Sequence, residues 1–267
     1  MQLSITNNMS KIDKPASNCW CGGTLKDSIN PFYYRCADCS TFVLKQQLNE
    51  EQLKKFYGFD TYWHTQAAIK KFPPIEQRAI NDLKDRIPIW FKIICQIIPL
   101  YKSVPARLLE IGCSHGGFLH YCQQHGLKNV VGNEPDEKTC QFAREHFKLP
   151  HVISGLFPDI SLPIDKFGII VGFDVLEHFT YPIKALKKVY DLLDDNGFFL
   201  FQTPCYRNEN AQWSQFKPPE HIFLYDEQNI KQLFGLAELE IIQIMPSCFV
   251  YDMFLLGHKR KCDKSQK

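Results

Sequence analysis

From residue 107 onward, short unbroken apolar runs alternate with longer stretches whose apolar positions recur every three or four residues. The runs read as strands buried on both faces of a parallel sheet, and the periodic stretches as helices laid across it. Strands are predicted over 107–111, 129–133, 151–154, 167–173 and 197–202, and helices over 117–125, 136–147, 183–193 and 225–234. Two last strands, 238–245 and 248–257, are joined closely through Pro246-Ser247 and read as an antiparallel hairpin at the sheet edge. This order predicts the α/β class: a doubly wound, mostly parallel seven-stranded sheet with a terminal antiparallel hairpin, occupying residues 106–258.

Upstream the pattern weakens. Residues 46–105 read as a mainly helical linker or substrate-cleft cover, with segments 51–57, 66–70 and 75–95 divided by Gly58 and Pro73-Pro74. Residues 12–45 lack aliphatic periodicity but carry Cys19, Cys21, Cys36 and Cys39, a Gly22-Gly23 turn and the run Phe32-Tyr33-Tyr34. So small a segment has too little core to hold itself together by burial. Four thiolates enclosing zinc tetrahedrally would supply the missing cohesion, so a small zinc-ribbon-like module with a structural zinc is expected. The first cysteine pair has one intervening residue where two are usual, so ligation there needs an atypical local backbone. Disulfides, a thiol cluster or a site with an outside ligand are the alternatives.

Composition narrows the class without choosing a function. Of 267 residues, 45% are hydrophobic and 22% charged, which excludes global disorder. The formal charge of +2 demands no nucleic-acid partner. The most apolar window, 88–100, falls short of the roughly 20 residues a membrane span needs and is interrupted by Lys92 and Gln96, so it reads as a buried helix. The first ten residues show no secretory pattern, and the scattered cysteines read as reduced thiols; a cytoplasmic protein is expected.

The chemistry begins where the first strand ends, in Glu110-Ile111-Gly112-Cys113-Ser114-His115-Gly116-Gly117-Phe118. Gly112 and Gly116 permit an unusual backbone path and close ligand approach, in a Gly-x-x-x-Gly spacing that differs from the dinucleotide fingerprint. A glycine pair alone is equally a plain turn. The second strand adds Glu134, 22 residues after Gly112, whose carboxylate suits both hydroxyls of a ribose. The two elements together favour a nucleoside cofactor.

The stretch from Leu108 to Gly116, Val130-Val131-Gly132-Asn133-Glu134-Pro135-Asp136, Gly172-Phe173-Asp174-Val175-Leu176-Glu177-His178 and the strand from Gly197 to Pro204 resemble successive motifs of class I S-adenosylmethionine-dependent methyltransferases. The resemblance implies that Glu110, Gly112, Cys113 and Gly116 position the methionine part of S-adenosylmethionine, that Glu134 receives the ribose hydroxyls, and that Leu156 and Phe157 lie near adenine. Phe173 and Asp174 would stand at the ligand-facing end of the fourth strand. The bulk of Cys113-Ser114-His115 is in keeping with a donor that has no phosphate to cradle.

Methyl transfer is an in-line displacement that requires no metal, although a hydroxyl acceptor benefits from a general base. His178 and His221 are the main candidates, with His115 behind them, each against a capping or packing role. The aromatic segment 205–220, with Tyr206, Trp213 and Phe216, reads either as an acceptor lid or as a structural insertion. Cysteine-paired heads followed by a stretch such as Tyr57-Gly58-Phe59-Asp60-Thr61-Tyr62-Trp63 resemble those of methyltransferases acting on sugars. Tyr57, Tyr62, Trp63 and His64 then belong to a substrate pocket or to a domain-joining aromatic cluster. The expected activity is methyl transfer to a small-molecule acceptor, at oxygen, with sugar-related compounds in view. The alternatives are a non-catalytic RNA- or protein-binding module retaining the fold, and a nicotinamide oxidoreductase, against which the shortened glycine loop argues.

Overall fold

The computed structural model describes residues 14–16, 18–62, 73–97, 107–208, 210–247 and 249–260. The predicted segment 66–70, Trp63, His64 and Cys248 lie outside these residues.

The N-terminal region contributes β1 (Lys14–Pro15), β2 (Leu25–Asp27), β3 (Tyr33–Cys36), β4 (Phe42–Leu44) and β5 (Gln46–Gln47). The larger sheet is built from β6 (Leu108–Ile111), β7 (Val130–Glu134), β8 (Val152–Ser154), β9 (Phe167–Phe173) and β10 (Leu193–Pro204), with β12 (Leu239–Pro246) and β13 (Asp252–Lys259); β11 (Phe223–Leu224) lies outside it. Its strand order is β12-β13-β10-β9-β6-β7-β8. Pairing is parallel from β10 to β8, while β13 runs antiparallel to both its neighbours. The expected doubly wound sheet with its terminal hairpin is therefore present. All seven positions of β9 are buried, which explains an apolar run without alternation.

Helices α1 (Glu50–Tyr57), α2 (Ile75–Lys84), α3 (Arg86–Ile97), α4 (Gly117–Gln124), α5 (Glu137–His146), α6 (Pro182–Leu192) and α7 (Glu227–Gly235) surround the sheet. Strand side chains alternate between two cores. Leu109, Ile170 and Phe201 share one with Leu186 and Leu233 of α6 and α7. Leu108, Ile169 and Leu200 share the other with Ile94, Leu119 and Ala143 of α3, α4 and α5.

Several boundaries move for local reasons. The helix predicted over 75–95 is two, because Asp85 adopts φ −108 and ψ −88 between them. Pro88 is tolerated in the first turn of α3, where no intrahelical N–H bond is lost. The predicted strand 197–202 extends back to Leu193, and a register shift between Leu193 and Phe198 absorbs the polar residues between. The last strand starts at Asp252 because Ser247 N–H bonds the Asp252 carbonyl across a turn.

The head does not stand apart. Strands β2, β3 and β4 form an antiparallel sheet whose fourth member is β11, from the segment after β10. Tyr206, Trp213 and Phe216 of the 205–220 segment pack with Tyr33, Phe42, Leu44 and Leu224. These aromatics thus bind the head to the sheet domain.

Candidate functional site

A doubly wound sheet opens a crevice at the carboxyl ends of its strands where the strand order reverses, here between the parallel strands β6 and β9. A cleft of about 2180 Å³ occupies that position. It is larger than the roughly 300–1,000 Å³ of a single small-ligand pocket.

Its floor is the end of β6. Glu110 is buried, and its Oε2 has no hydrogen-bond partner among the described residues. Burial, reinforced by the charge of Glu134, pushes its carboxyl well above the usual range. Gly112 follows at φ +71, where an added Cβ would stand 2.3 Å from Val175 Cγ1; only glycine lets the loop run this close. Ser114 N–H donates to Glu134 Oε2 at 3.0 Å, so the loop and the end of β7 hold each other. Burial pushes the Glu134 carboxyl up to about 7.

Cys113, Leu156, Phe157, Phe173 and Asp174 also line the cleft. Gly116 does not. It caps α4 at φ +80, and an added Cβ would strike Leu149 Cδ1 at 2.7 Å and Ala143 Cβ at 2.9 Å. Its role is the close packing of the loop on α5. His115 is similarly committed: its Nδ1 accepts Gly117 N–H at 3.0 Å and its Nε2 faces Asp82 Oδ2 at 3.1 Å. Although burial opposes it, hydrogen bonds from His115 and Arg78 hold Asp82 below the usual carboxylate range.

The linker helices supply wall residues that the sequence did not mark. Trp90 stacks on Phe173 with ring centroids 4.0 Å apart and planes 2° from parallel. Its Nε1 donates to Gln202 Oε1 at 3.0 Å, and Gln202 Nε2 donates to Asp174 Oδ1 at 2.7 Å, fixing the end of β9. Arg86 approaches Asp174 at 3.6 Å. The only trace of this in the sequence is the four-residue spacing of Arg78, Asp82 and Arg86 within the otherwise amphipathic region.

The cleft is also lined by Tyr57, Glu177, His178, Glu220 and His221. His178 Nδ1 lies 2.8 Å from the Glu220 carbonyl and 2.9 Å from Tyr57 Oη. A carbonyl only accepts, so Nδ1 carries the proton and Nε2 presents its lone pair. His221 Nδ1 lies 2.8 Å from the Gln215 carbonyl, which assigns the same tautomer. Burial holds His178 below the usual imidazole range, in its neutral form. The two predicted histidines thus meet, their rings 5.0 Å apart and nearly perpendicular.

In the head, the sulfurs of Cys19, Cys21, Cys36 and Cys39 all lie within 4.8 Å of one another. The Cys19–Cys39 and Cys21–Cys36 pairs are both at 3.5 Å, too far for a disulfide. Tetrahedral zinc with sulfurs at roughly 2.3 Å spaces them by about 3.8 Å. The hydrogen bond from Cys19 brings the Cys39 thiol down to about 5 against its burial, with Thr41 assisting.

The orphaned Glu110 oxygen and the Gly112 cradle fit a ligand that brings cationic groups and needs close backbone approach, as S-adenosylmethionine does with its ammonium and sulfonium. Comparison with known proteins agrees. A family model described as a methyltransferase domain matches residues 77–244. The ubiquinone biosynthesis O-methyltransferase of Pelagibacter ubique is 25% identical over 162 residues, 58% of this chain and 65% of that protein. The tRNA U34 carboxymethyltransferase of Campylobacter hominis is 32% identical over 101 residues, 36% of this chain and 35% of that protein. In both cases the match spans less than two thirds of the relative's length. Magnesium protoporphyrin IX methyltransferase from Synechocystis PCC 6803, solved with bound SAH, superimposes with a TM-score of 0.57 at 13% identity, covering 79% of this chain and all of that one. That likeness is one of fold.

Proposed function

The chain belongs to the methyltransferase domain family, the class I S-adenosylmethionine-dependent methyltransferases, and from this premise we propose that it methylates a small-molecule acceptor at oxygen. The observation that carries the reading is that one cleft is lined both by Glu110, whose Oε2 has no hydrogen-bond partner among the described residues, and by the imidazoles of His178 and His221. The naming of a relative as an O-methyltransferase supports oxygen.

S-adenosylmethionine, when bound, supplies an electrophilic methyl group on a cationic sulfur. Glu110 receives its ammonium, Glu134 its ribose hydroxyls, and Leu156 and Phe157 flank its adenine, while Gly112 and Cys113 shape the backbone around the methionine part. Phe173, held by Trp90, and Asp174, held by Gln202, define the passage to the acceptor. Alignment along one line contributes much of the acceleration, up to roughly 7–11 kcal/mol in favourable cases. An acceptor hydroxyl would lie against His178 and His221, where an Nε2 lone pair can take its proton; the bound donor would supply the methyl group and leave as the neutral thioether, its carbon–sulfur bond broken. Such a wall suits a hydroxylated molecule, and sugar-related compounds are the first class to assay. The four head thiolates hold a structural zinc, in keeping with a reducing, cytoplasmic setting. No described helix is long and apolar enough to cross a membrane.

Calorimetric titration of folded, ligand-free protein with S-adenosylmethionine and S-adenosylhomocysteine tests the donor site; absence of binding by both ends the proposal. A cell extract incubated with enzyme and isotope-labelled donor, followed by mass identification of the labelled product, tests the acceptor. A methylated oxygen on a small molecule is expected, and label found only on carbon, nitrogen or RNA overturns that part.

A further inference from the structure

We propose that Glu177, His178 and His221 form a second metal site, one that binds a divalent first-row transition ion and presents it to oxygen atoms of the acceptor. The inference rests on reading this part of the cleft as the acceptor site. In the metal-free protein the Nε2 atoms are the proton acceptors proposed above; with an ion bound they are its ligands.

Three ligand atoms from two separated parts of the chain converge here, one from each residue, all within 4.8 Å of one another. Glu177 Oε1 lies 3.8 Å from His178 Nε2 and 3.9 Å from His221 Nε2. Around a single ion with imidazole and carboxylate ligands at about 2.0–2.2 Å, such atoms stand roughly 3.0–3.5 Å apart, so the two Glu177–histidine separations need to contract by less than about 1 Å to complete the site. The Glu220 and Gln215 carbonyls each take up an Nδ1–H, so in the neutral form of either ring it is Nε2 that is left to ligate.

The surroundings have the form that metal-binding imidazoles take. Each ring donates its other N–H to a main-chain carbonyl, which fixes its tautomer and its orientation. The far oxygen of Glu177 accepts from Thr203 Oγ1 at 2.8 Å, leaving Oε1 turned to the histidines. Ile222 N–H donates to the Glu177 carbonyl at 2.8 Å and so ties the two ligand-bearing segments together beside the site.

Two imidazoles and one carboxylate favour zinc, iron(II), cobalt or nickel over magnesium or calcium, which prefer an all-oxygen set. All three residues line the cleft, so the remaining coordination positions face it. The ligand class is a molecule with one hydroxyl, or two adjacent ones, placed to bind the ion. A hydroxyl so bound gives up its proton to water in the cleft more readily.

The test uses the full chain, with its thiolate site, titrated with cobalt(II) while its absorption is recorded. Wild-type protein is expected to show intense sulfur-to-cobalt charge transfer from the head and a separate set of weaker ligand-field bands from the nitrogen and oxygen site. Glu177→Gln, His178→Ala and His221→Ala should each abolish the weaker set and one equivalent of bound metal, leaving the thiolate bands in place. Cys36→Ser should do the reverse. S-adenosylhomocysteine affinity, measured on the same samples, shows which variants are folded and tests the donor site independently. Thiolate bands alone in a wild-type sample that binds S-adenosylhomocysteine overturn the second site and leave the donor assignment standing. Ligand-field bands that survive the variants binding S-adenosylhomocysteine normally also overturn it.

Discussion

Glu134 joins two properties that pull against each other: a carboxylate suited to ribose hydroxyls, and a position that pushes its carboxyl up to about 7. Near neutrality the ligand-free protein therefore holds it partly protonated. Donor affinity should rise between pH 6 and pH 8, and Glu134→Gln should weaken binding by about tenfold or more, a loss of ~1.5–3 kcal/mol, while flattening the pH profile; titration calorimetry at three pH values reads both. The stability effect has the opposite sign. A carboxyl whose folded value lies above its unfolded one favours folding most at low pH, and that contribution is lost as pH rises from about 4.5 to about 7. Asp252, also pushed up to about 7 by burial, acts in the same direction. Denaturant midpoints of Glu134→Gln and Asp252→Asn should accordingly fall less than wild type across that window. At Gly112, alanine meets both a left-handed φ and Val175 Cγ1 at 2.3 Å. Gly112→Ala should cost at least ~1–2 kcal/mol, and adding Val175→Ala should restore only part, because the backbone strain persists. Glu110, Gly112 and Glu134 could be singled out in the sequence because each stands at the end of an apolar strand; the packing around Gly116 could not be, because the groups pressing on it, Leu149 and Ala143, come from later in the chain.

Among the elements, the head and the sheet domain are coupled through a few bonds. Tyr33 Oη donates to the His221 carbonyl at 2.8 Å, and Leu44 N–H donates to the Ile222 carbonyl at 2.8 Å. A strand of the cysteine-rich head thereby sets the backbone that carries His221. Tyr33→Phe should cost about 1 kcal/mol of stability and slow methyl transfer while leaving donor affinity unchanged; a loss of donor affinity equal to the loss of turnover would contradict that division. Helix α3 has a comparable part on the donor side, where Trp90 both stacks on Phe173 and bonds Gln202. Trp90→Ala should destabilise by ~3–5 kcal/mol, as measured by chemical denaturation, whereas Trp90→Phe should retain much of the packing and lose the bond to Gln202. Apolar periodicity announced α3 as a buried helix, yet which surface buried it depended on a strand eighty and more residues away. The same limit hid β11: a two-residue strand has no period to detect, and it exists because β4 offers it an edge.

For the molecule as a whole, removing the zinc proposed for the head should loosen more than the head. Hydrogen exchange after chelation is expected to accelerate in β2, β3 and β4 and across 205–225, where Tyr206, Trp213 and Phe216 pack on the head, while β6, β7 and β9 keep their protection. Acceleration spread evenly over the large sheet would refute the division. The sequence by itself determined the doubly wound sheet, its terminal hairpin and the glycine loop with Glu134 beyond it. These are written in strand-length apolar runs and in residues adjacent to strand ends, where topology dictates that ligands bind. Only the tertiary structure decided that the aromatic 205–220 segment belongs to the head, that Trp90 and Gln202 brace the cleft, and that His178 and His221 meet around Glu177. Those arrangements rest on contacts between segments far apart in the chain, whose partners no local pattern of polar and apolar residues encodes.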